Sequence, residues 1–140
     1  MKNSILFILL VLSLTHCARQ DRFKANLIKK IHEETPHVIK FETLTDFSWD
    51  RVFIFPPYTS DEKISQALGF IWQDAKATGI HYRDDICLLV FIKGNTVIHY
   101  TEYPRGQGDF ATLKRDRYKK NEAVFLVKEE KGWIDLVDIK

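Results

Sequence analysis

The stretch Asp46-Phe-Ser-Trp-Asp-Arg-Val-Phe-Ile-Phe-Pro-Pro-Tyr-Thr-Ser-Asp-Glu62 organises the fold of this 140-residue chain. Val52 to Phe55 is apolar at every position, which is typical of a strand that is covered on both faces. Pro56 and Pro57 lack a backbone N–H, so they end that strand. Thr59-Ser-Asp-Glu62 matches a capping box and predicts a helix with Thr59 as its N-cap. The stretch therefore predicts a strand, a turn and a helix.

The rest of the chain predicts two hairpins. Ile86 to Ile92 is an unbroken apolar run and indicates a central strand, and Thr96 to Tyr103 returns beside it. Residues 123–127 and 133–139 predict the second hairpin, while Val38 to Leu44 is a weaker strand candidate. We therefore expect a mainly antiparallel sheet of about five to six strands.

The segment before the first strand predicts a helix. Arg19 to Glu34 carries an apolar stripe, which indicates an N-terminal amphipathic helix. Such a helix packs either on the sheet or on a membrane surface beside a lipid anchor. With a second helix after the first core strand, the predicted fold class is α+β. The residues of the stripe are Phe23, Leu27, Ile28 and Ile31.

The first 16 residues have the form of a secretory signal peptide. Lys2 is followed by an apolar run over residues 5–14, which is shorter than the roughly 20 residues that span a membrane. The alternative is a buried N-terminal helix of a cytosolic protein. Residues 17–140 are then predicted to form a single α+β domain.

Leu14-Thr-His-Cys17 resembles a bacterial lipobox, in which the cysteine is acylated and becomes the first mature residue. The resemblance implies lipidation of Cys17 and anchoring in the cell envelope, on the outer membrane facing the periplasm in a Gram-negative cell. His16 departs from the pattern, which has a small residue there. A soluble periplasmic or secreted form is therefore the alternative.

Two motifs resemble a functionally uncharacterised family of small bacterial exported proteins, often with lipoprotein signals. They are Asp46-Phe-x-Trp-Asp-x-Val-x-Ile-Phe-x-Pro-Tyr-Thr59 and Tyr103-Pro-Arg-x-x-Gly-Asp-Phe110. Pro56 stands where the family often has glycine. The resemblance covers about half of the mature chain and implies export and the fold, without adding an activity.

The segment after the second central strand is the main candidate binding site. Glycines at 106 and 108 allow backbone amides to point at an anion, and Arg105 can bind a carboxylate or phosphate with two hydrogen bonds. Alternatively, Arg105 pairs with Asp109 or Asp50 and staples the loop. The candidate residues are Tyr103, Arg105, Gly106, Gly108, Asp109 and Phe110.

Trp49, Asp50 and Tyr58 form a second candidate set. They could line an aromatic rim for a ligand or partner and contact the Tyr103–Phe110 loop in space. In the alternative, Asp50 caps a turn and Trp49 covers the sheet edge.

The sequence gives no pattern of catalytic residues. Cys87 lies inside an apolar strand, and no serine stands in a nucleophile-elbow motif. His81, Asp84 and Asp85 share one short loop without the spacing of a metal site. We expect no metal and no cofactor.

Net charge and charge distribution bear on the partners. The formal net charge of +2 gives no strong field for nucleic acid, and we expect none to bind. The basic run over residues 114–120 contacts lipid headgroups or forms a solvated connector.

These observations predict a non-enzymatic, envelope-localised small lipoprotein that binds another envelope or secreted protein, with inhibitors and immunity proteins as one fitting class. One alternative is a structural or assembly accessory of the envelope that contacts lipid. The other is a small hydrolase or an anion-binding enzyme.

Lipidation predicts the behaviour of a Cys17→Ala variant. Loss of the acyl chains, each contributing about 0.8 kcal/mol per buried methylene, should move the protein from membranes to the soluble fraction. Fractionation of cells making the wild type, Cys17→Ala and Cys87→Ala measures this. Unchanged membrane attachment of Cys17→Ala would contradict the lipobox interpretation.

Overall fold

The computed structural model describes residues 22–33 and 37–139, so the predicted signal peptide and Cys17 lie outside the described residues. No helix in these two ranges is long and apolar enough to cross a membrane. The helices and strands in chain order are α1 (residues 22–31), β1 (Val38–Lys40), β2 (Arg51–Phe55), α2 (Asp61–Leu68), β3 (Ile86–Lys93), β4 (Thr96–Pro104), β5 (Arg117–Lys119), β6 (Val124–Glu130) and β7 (Trp133–Asp138).

The strands form two sheets, so the predicted single sheet of five to six strands is wrong. One sheet has the order β4-β3-β2-β5 and the other the order β1-β6-β7, and all strand pairs within them are antiparallel. The predicted hairpins are confirmed as β3–β4 and β6–β7. A short turn at Lys120–Glu122 leads the chain from β5 in the first sheet to β6 in the second.

The physical reason for the second sheet is the two-sided apolar pattern of the central strands. Val52 to Phe55 and Ile86 to Ile92 are buried throughout, so both faces of the four-stranded sheet need cover. The second sheet covers one face, where Phe125 and Leu136 face Val52 and Ile54 in what we call the inter-sheet core. A sheet with helices alone on its faces, the predicted α+β arrangement, is therefore not what forms.

The N-terminal helix also differs from its prediction. It ends at residue 31 and not at Glu34, and Ile28 of the predicted stripe is only partly buried. Phe23, Leu27 and Ile31 are buried in the inter-sheet core. The predicted N-terminal amphipathic helix over Arg19 to Glu34 is therefore wrong in this form, and the described fold is mostly antiparallel sheet with two helices.

The opposite face of the four-stranded sheet is covered by α2 and the segment that follows it. Ile64 and Leu68 of α2 pack with Trp72 and Ile80 against Phe53, Phe55 and alternate residues of β3. We call this the helix-side core. Gly69 ends α2 in the left-handed conformation, at φ +81°, which glycine adopts more readily than other residues.

Ser60, and not Thr59, is the N-cap of α2. The Ser60 hydroxyl accepts the Lys63 backbone N–H at 3.3 Å, whereas the Thr59 hydroxyl donates to the Pro56 carbonyl at 2.6 Å. The predicted cap, Thr59, is one residue before the actual cap. The Thr59 hydroxyl is not available to the helix because it is hydrogen-bonded to the Pro56 carbonyl in the double-proline turn.

The cap assignment predicts opposite effects for two serine substitutions in α2. Ser60→Ala should lower the free energy of unfolding by about 1 kcal/mol, because it removes the acceptor for one unpaired helix N–H. Ser65→Ala, inside the helix, should be neutral or stabilising by up to about 0.5 kcal/mol, because alanine has the higher helix propensity. Chemical denaturation measures both. A loss at Ser65 equal to that at Ser60 would contradict the assignment.

Candidate functional site

Arg105 is bound to two parts of its own chain. Its Nε lies 3.0 and 3.1 Å from the two carboxylate oxygens of Asp109, and its Nη2 lies 2.7 Å from Oδ2. Nη1 donates to the Asp84 carbonyl at 2.8 Å, and the Arg105 backbone N–H donates to the Asp85 carbonyl at 2.9 Å. The guanidinium therefore fastens the loop to the turn before β3.

Asp109 joins the loop to the other sheet. Its backbone N–H donates to Ile134 and its carbonyl accepts from Leu136, both at 2.8 Å, so it pairs with β7. Its side chain is only 2% exposed and also accepts the Ala111 N–H at 2.9 Å. The Arg105–Asp109 pair thus connects the four-stranded sheet with the edge of the three-stranded sheet.

The electrostatics of this pair favour the ionised state of its arginine. Hydrogen bonding to the Asp109 carboxylate raises the pKa of the Arg105 guanidinium above its usual value. Burial, and then the Asp109 charge, raise the pKa of the Cys87 thiol to about 12, and the thiol lies 3.8 Å from Asp109 Oδ1. Cys87 is therefore a protonated, buried thiol at neutral pH and not an activated nucleophile.

The aromatic residues at the two ends of the loop are buried. Tyr103 and Phe110 are part of the inter-sheet core, and their rings meet edge to face with centroids 5.4 Å apart. Burial raises the pKa of the Tyr103 phenol, whose hydroxyl donates to the Gln107 carbonyl at 3.0 Å. Both side chains therefore hold the ends of the loop in the core.

The two glycines of the loop have different environments. Gly108 has φ +138°, and a Cβ there would lie 3.0 Å from both Ile31 Cδ1 and Leu136 Cδ2. Gly106 is exposed and a Cβ there would meet nothing within 4 Å. The Gly108 N–H donates to Arg105, so this amide is engaged within the protein. A binding role for the loop stays a prediction, and its contacts are those of the staple alternative.

Trp49 and Asp50 lie away from the loop. Arg51, next to them, pairs with Ile92, whereas Pro104 pairs with Ile86, six residues or about 20 Å along β3. Asp50 Oδ2 accepts the Gly94 N–H at 2.7 Å, which caps the β3–β4 turn. These residues are therefore not brought together with Arg105.

Trp49 is buried, but it also lines a shallow groove. Its indole N–H donates to the Thr45 hydroxyl at 2.9 Å. Lys120 lies over its ring, with Nζ 5.9 Å from the centroid, and both residues line a groove of about 700 Å³. Trp49 is only 2% exposed, so it offers little accessible surface to this groove, and a binding role for it stays a prediction.

Tyr58 follows the end of β2, whereas Trp49 and Asp50 of the same candidate set precede its start. Tyr58 is 61% exposed and has φ +64°, an unusual value for a bulky side chain. It occupies the position after Pro57 at which a type II turn places glycine. Its backbone N–H donates to Ile80 at 2.9 Å.

Sequence patterns did not identify the outer edge of β4. This nine-residue strand pairs with β3 alone among the described strands, and Ile98 is the extra residue of a bulge where its register shifts. Tyr100 packs on Trp72 with ring centroids 5.0 Å apart, and Glu102 pairs with Arg83. The half-polar pattern of Thr96 to Tyr103 was the available signal, but pattern alone does not separate an edge strand from a half-buried inner one.

No group of three or more His, Cys, Asp or Glu side chains within residues 22–33 and 37–139 could hold a metal ion. Comparisons of the chain with protein families, with curated proteins and with solved structures found no match.

The role of Asp109 predicts a stability effect that a neighbouring aspartate lacks. Asp109→Ala should lower the free energy of unfolding by about 2–3 kcal/mol, toward the low end for buried pairs because the Arg105 side chain stays 29% exposed. Asp84→Ala, at an exposed side chain in the adjoining turn, should change it by less than about 0.5 kcal/mol.

Thermal and urea unfolding of both aspartate variants measure this difference. Equal stability of Asp109→Ala and the wild type would contradict the interpretation that the Arg105–Asp109 pair staples the loop. It would favour a binding role for the loop instead.

Proposed function

We propose that this chain is an exported, non-enzymatic binding protein that engages an extended segment of another envelope or secreted protein at the edge of β4. The observation that carries the proposal is that β4, with nine residues, is the longest edge strand of the described sheets. An exposed edge strand can accept a further strand from a partner through main-chain hydrogen bonds.

The other three sheet edges offer much less. β1 and β5 have three residues each, and short edge strands are poor templates for pairing. β7 has six residues, but Asp109 already hydrogen-bonds along its outer side. β4 has nine residues, about 30 Å of strand, with proline only at its end.

Charge does not protect β4 as it protects many natural edge strands. Glu102 is its one charged side chain, and Arg83 already pairs with it. After the bulge at Ile98, the residues from His99 to Pro104 are in register with β3. A partner strand of typical length, about five to six residues, is shorter than the nine residues of β4.

Two exposed apolar residues, Ile71 and Tyr82, are sequence neighbours of residues that contact β4, and we propose that they help to anchor a partner. Ile71, next to Trp72, is 75% exposed, and Tyr82, next to Arg83, is 68% exposed. Trp72 and Arg83 contact β4 through Tyr100 and Glu102. Aromatic and aliphatic anchors beside a strand edge supply specificity that main-chain pairing lacks. We call Ile71, Tyr82 and Ile98 the β4 rim.

The internal contacts of the Tyr103–Phe110 loop favour the sheet edge over that loop as the binding surface. Arg105 and Asp109 satisfy one another, so the loop offers a partner little unpaired charge. A lipid anchor at Cys17 would hold this domain at a membrane with the β4 edge available to proteins of the envelope. An inhibitor or immunity protein is one class that works in this way.

Site-specific photo-crosslinking tests the proposal in cells that make the full chain. A photoreactive residue at Ile98 should capture a partner, and one at Val38 should not. The two positions are matched, since both lie on edge strands and are 38% and 39% exposed. Capture at Val38 alone, or at neither position, would contradict the proposal.

Titration of the captured partner, once identified and purified, provides the second part of the test. Ile98→Lys should weaken its binding by about tenfold or more, the effect of losing an interface anchor, whereas Val38→Lys should leave it unchanged. Circular dichroism checks that both variants fold. Equal affinity of the two variants for the partner would contradict the assignment of β4 as the binding edge.

A further inference from the structure

We propose that the chain has a second binding site, for a phosphate-bearing anion, in a groove at the β5 edge of the four-stranded sheet. The groove has a volume of about 840 Å³ and lies between α2 and the connector over residues 110–117. This volume is within the range of small-molecule sites, about 300–1,000 Å³. Its charged lining residues are Lys63, Lys114, Arg115, Asp116 and Arg117.

Three of the four cations in the groove have no carboxylate partner. Among the described residues, no Asp or Glu oxygen forms an ion pair with Lys63, Lys114 or Arg117. Arg115 differs, since it lies 3.5 Å from Glu122 and 3.8 Å from Asp138. The groove therefore holds more positive charge than its one aspartate offsets.

Arg117 is held in place without being neutralised. Its Nη2 donates to the Ala67 carbonyl at the end of α2 at 3.1 Å, and its guanidinium carbon lies 4.9 Å from the centroid of the Phe53 ring. These contacts fix the side chain and leave other N–H groups of the guanidinium for a ligand. A fixed guanidinium flanked by two lysines is suited to phosphate oxygens.

The two lysines come from separate elements. Lys63 lies in the first turn of α2, and Lys114 lies in the connector, where its backbone N–H is fixed by Asp138 at 3.2 Å. Both lysines line the same groove as Arg117. A convergence of cations from three elements, with no carboxylate between them except Asp116, distinguishes this groove from a uniformly solvated basic run.

The groove is separated from the proposed protein-binding edge. β5 and β4 are the two opposite edges of the four-stranded sheet. A negative result for the β4 edge would therefore leave the proposed anion site unaffected, and the reverse also holds. A phosphate can come from a lipid headgroup or from a soluble phosphorylated molecule.

Lysine footprinting on the full chain held in nanodiscs tests the proposal and separates the two sources. The acetylation rates of Lys63 and Lys114 are measured by mass spectrometry in neutral phosphatidylcholine discs with and without inorganic pyrophosphate, and in discs that contain phosphatidylglycerol. Lys76 and Lys128, both exposed and outside the groove, are internal controls.

We expect the two groove lysines to be protected and the control lysines to react as before. Protection by pyrophosphate in neutral discs supports a soluble phosphate, and protection in phosphatidylglycerol discs alone supports a lipid headgroup. Absence of protection in both, or equal protection of Lys76 and Lys128, would overturn the proposal.

A pair of double variants gives the second readout. Lys63→Gln with Lys114→Gln should weaken binding of the effective anion by about thirtyfold, the effect of two charges at roughly 1 kcal/mol each. The matched control, Lys76→Gln with Lys128→Gln, has the same net charge and should bind as the wild type. Both sets of positions are on the surface, so equal melting temperatures are expected. Equal weakening of the two double variants would show that the anion is attracted by net charge without a specific site, and it would overturn the proposal.

Discussion

Burial of the two central strands on both faces is the constraint on which the rest of the structure depends. Val52 to Phe55 and Ile86 to Ile92 have no side that can face water without a large cost in exposed apolar area. The three-stranded sheet covers one face, and α2 with the segment to Ile80 covers the other. The exposed edges of the four-stranded sheet are then what remains for interaction.

The Arg105–Asp109 pair is the polar counterpart of this arrangement. Asp109 binds β7 through its backbone and Arg105 through its side chain, while Arg105 binds the turn before β3. A buried carboxylate is costly unless it is paired, and here the pairing also fastens two sheets together. The Tyr103–Phe110 loop has the strongest binding-site pattern in the sequence, but its charged side chains are hydrogen-bonded within the protein.

The proposed functional surfaces lie on the two edges of one sheet. The β4 edge is long, nearly uncharged and flanked by the β4 rim, which is suited to an extended peptide segment. The opposite edge has the short β5 strand and a groove lined by three cations that form no ion pair with a described carboxylate. A membrane-anchored protein with this division could hold an anionic ligand on one side and a protein partner on the other.

The sequence by itself determined the local elements: the strand at Val52, the double-proline stop, the helix that ends at Gly69 and both hairpins, since each rests on the pattern of neighbouring residues. Only the tertiary structure decided how the strands divide into two sheets, because Lys120–Glu122 redirects the chain by a turn whose residues carry no distinctive signal. It also decided that Arg105 is bound internally, that β4 is an edge, and that Lys63 and Lys114 line one groove. Such facts depend on residues far apart in the chain, and local pattern does not encode their proximity.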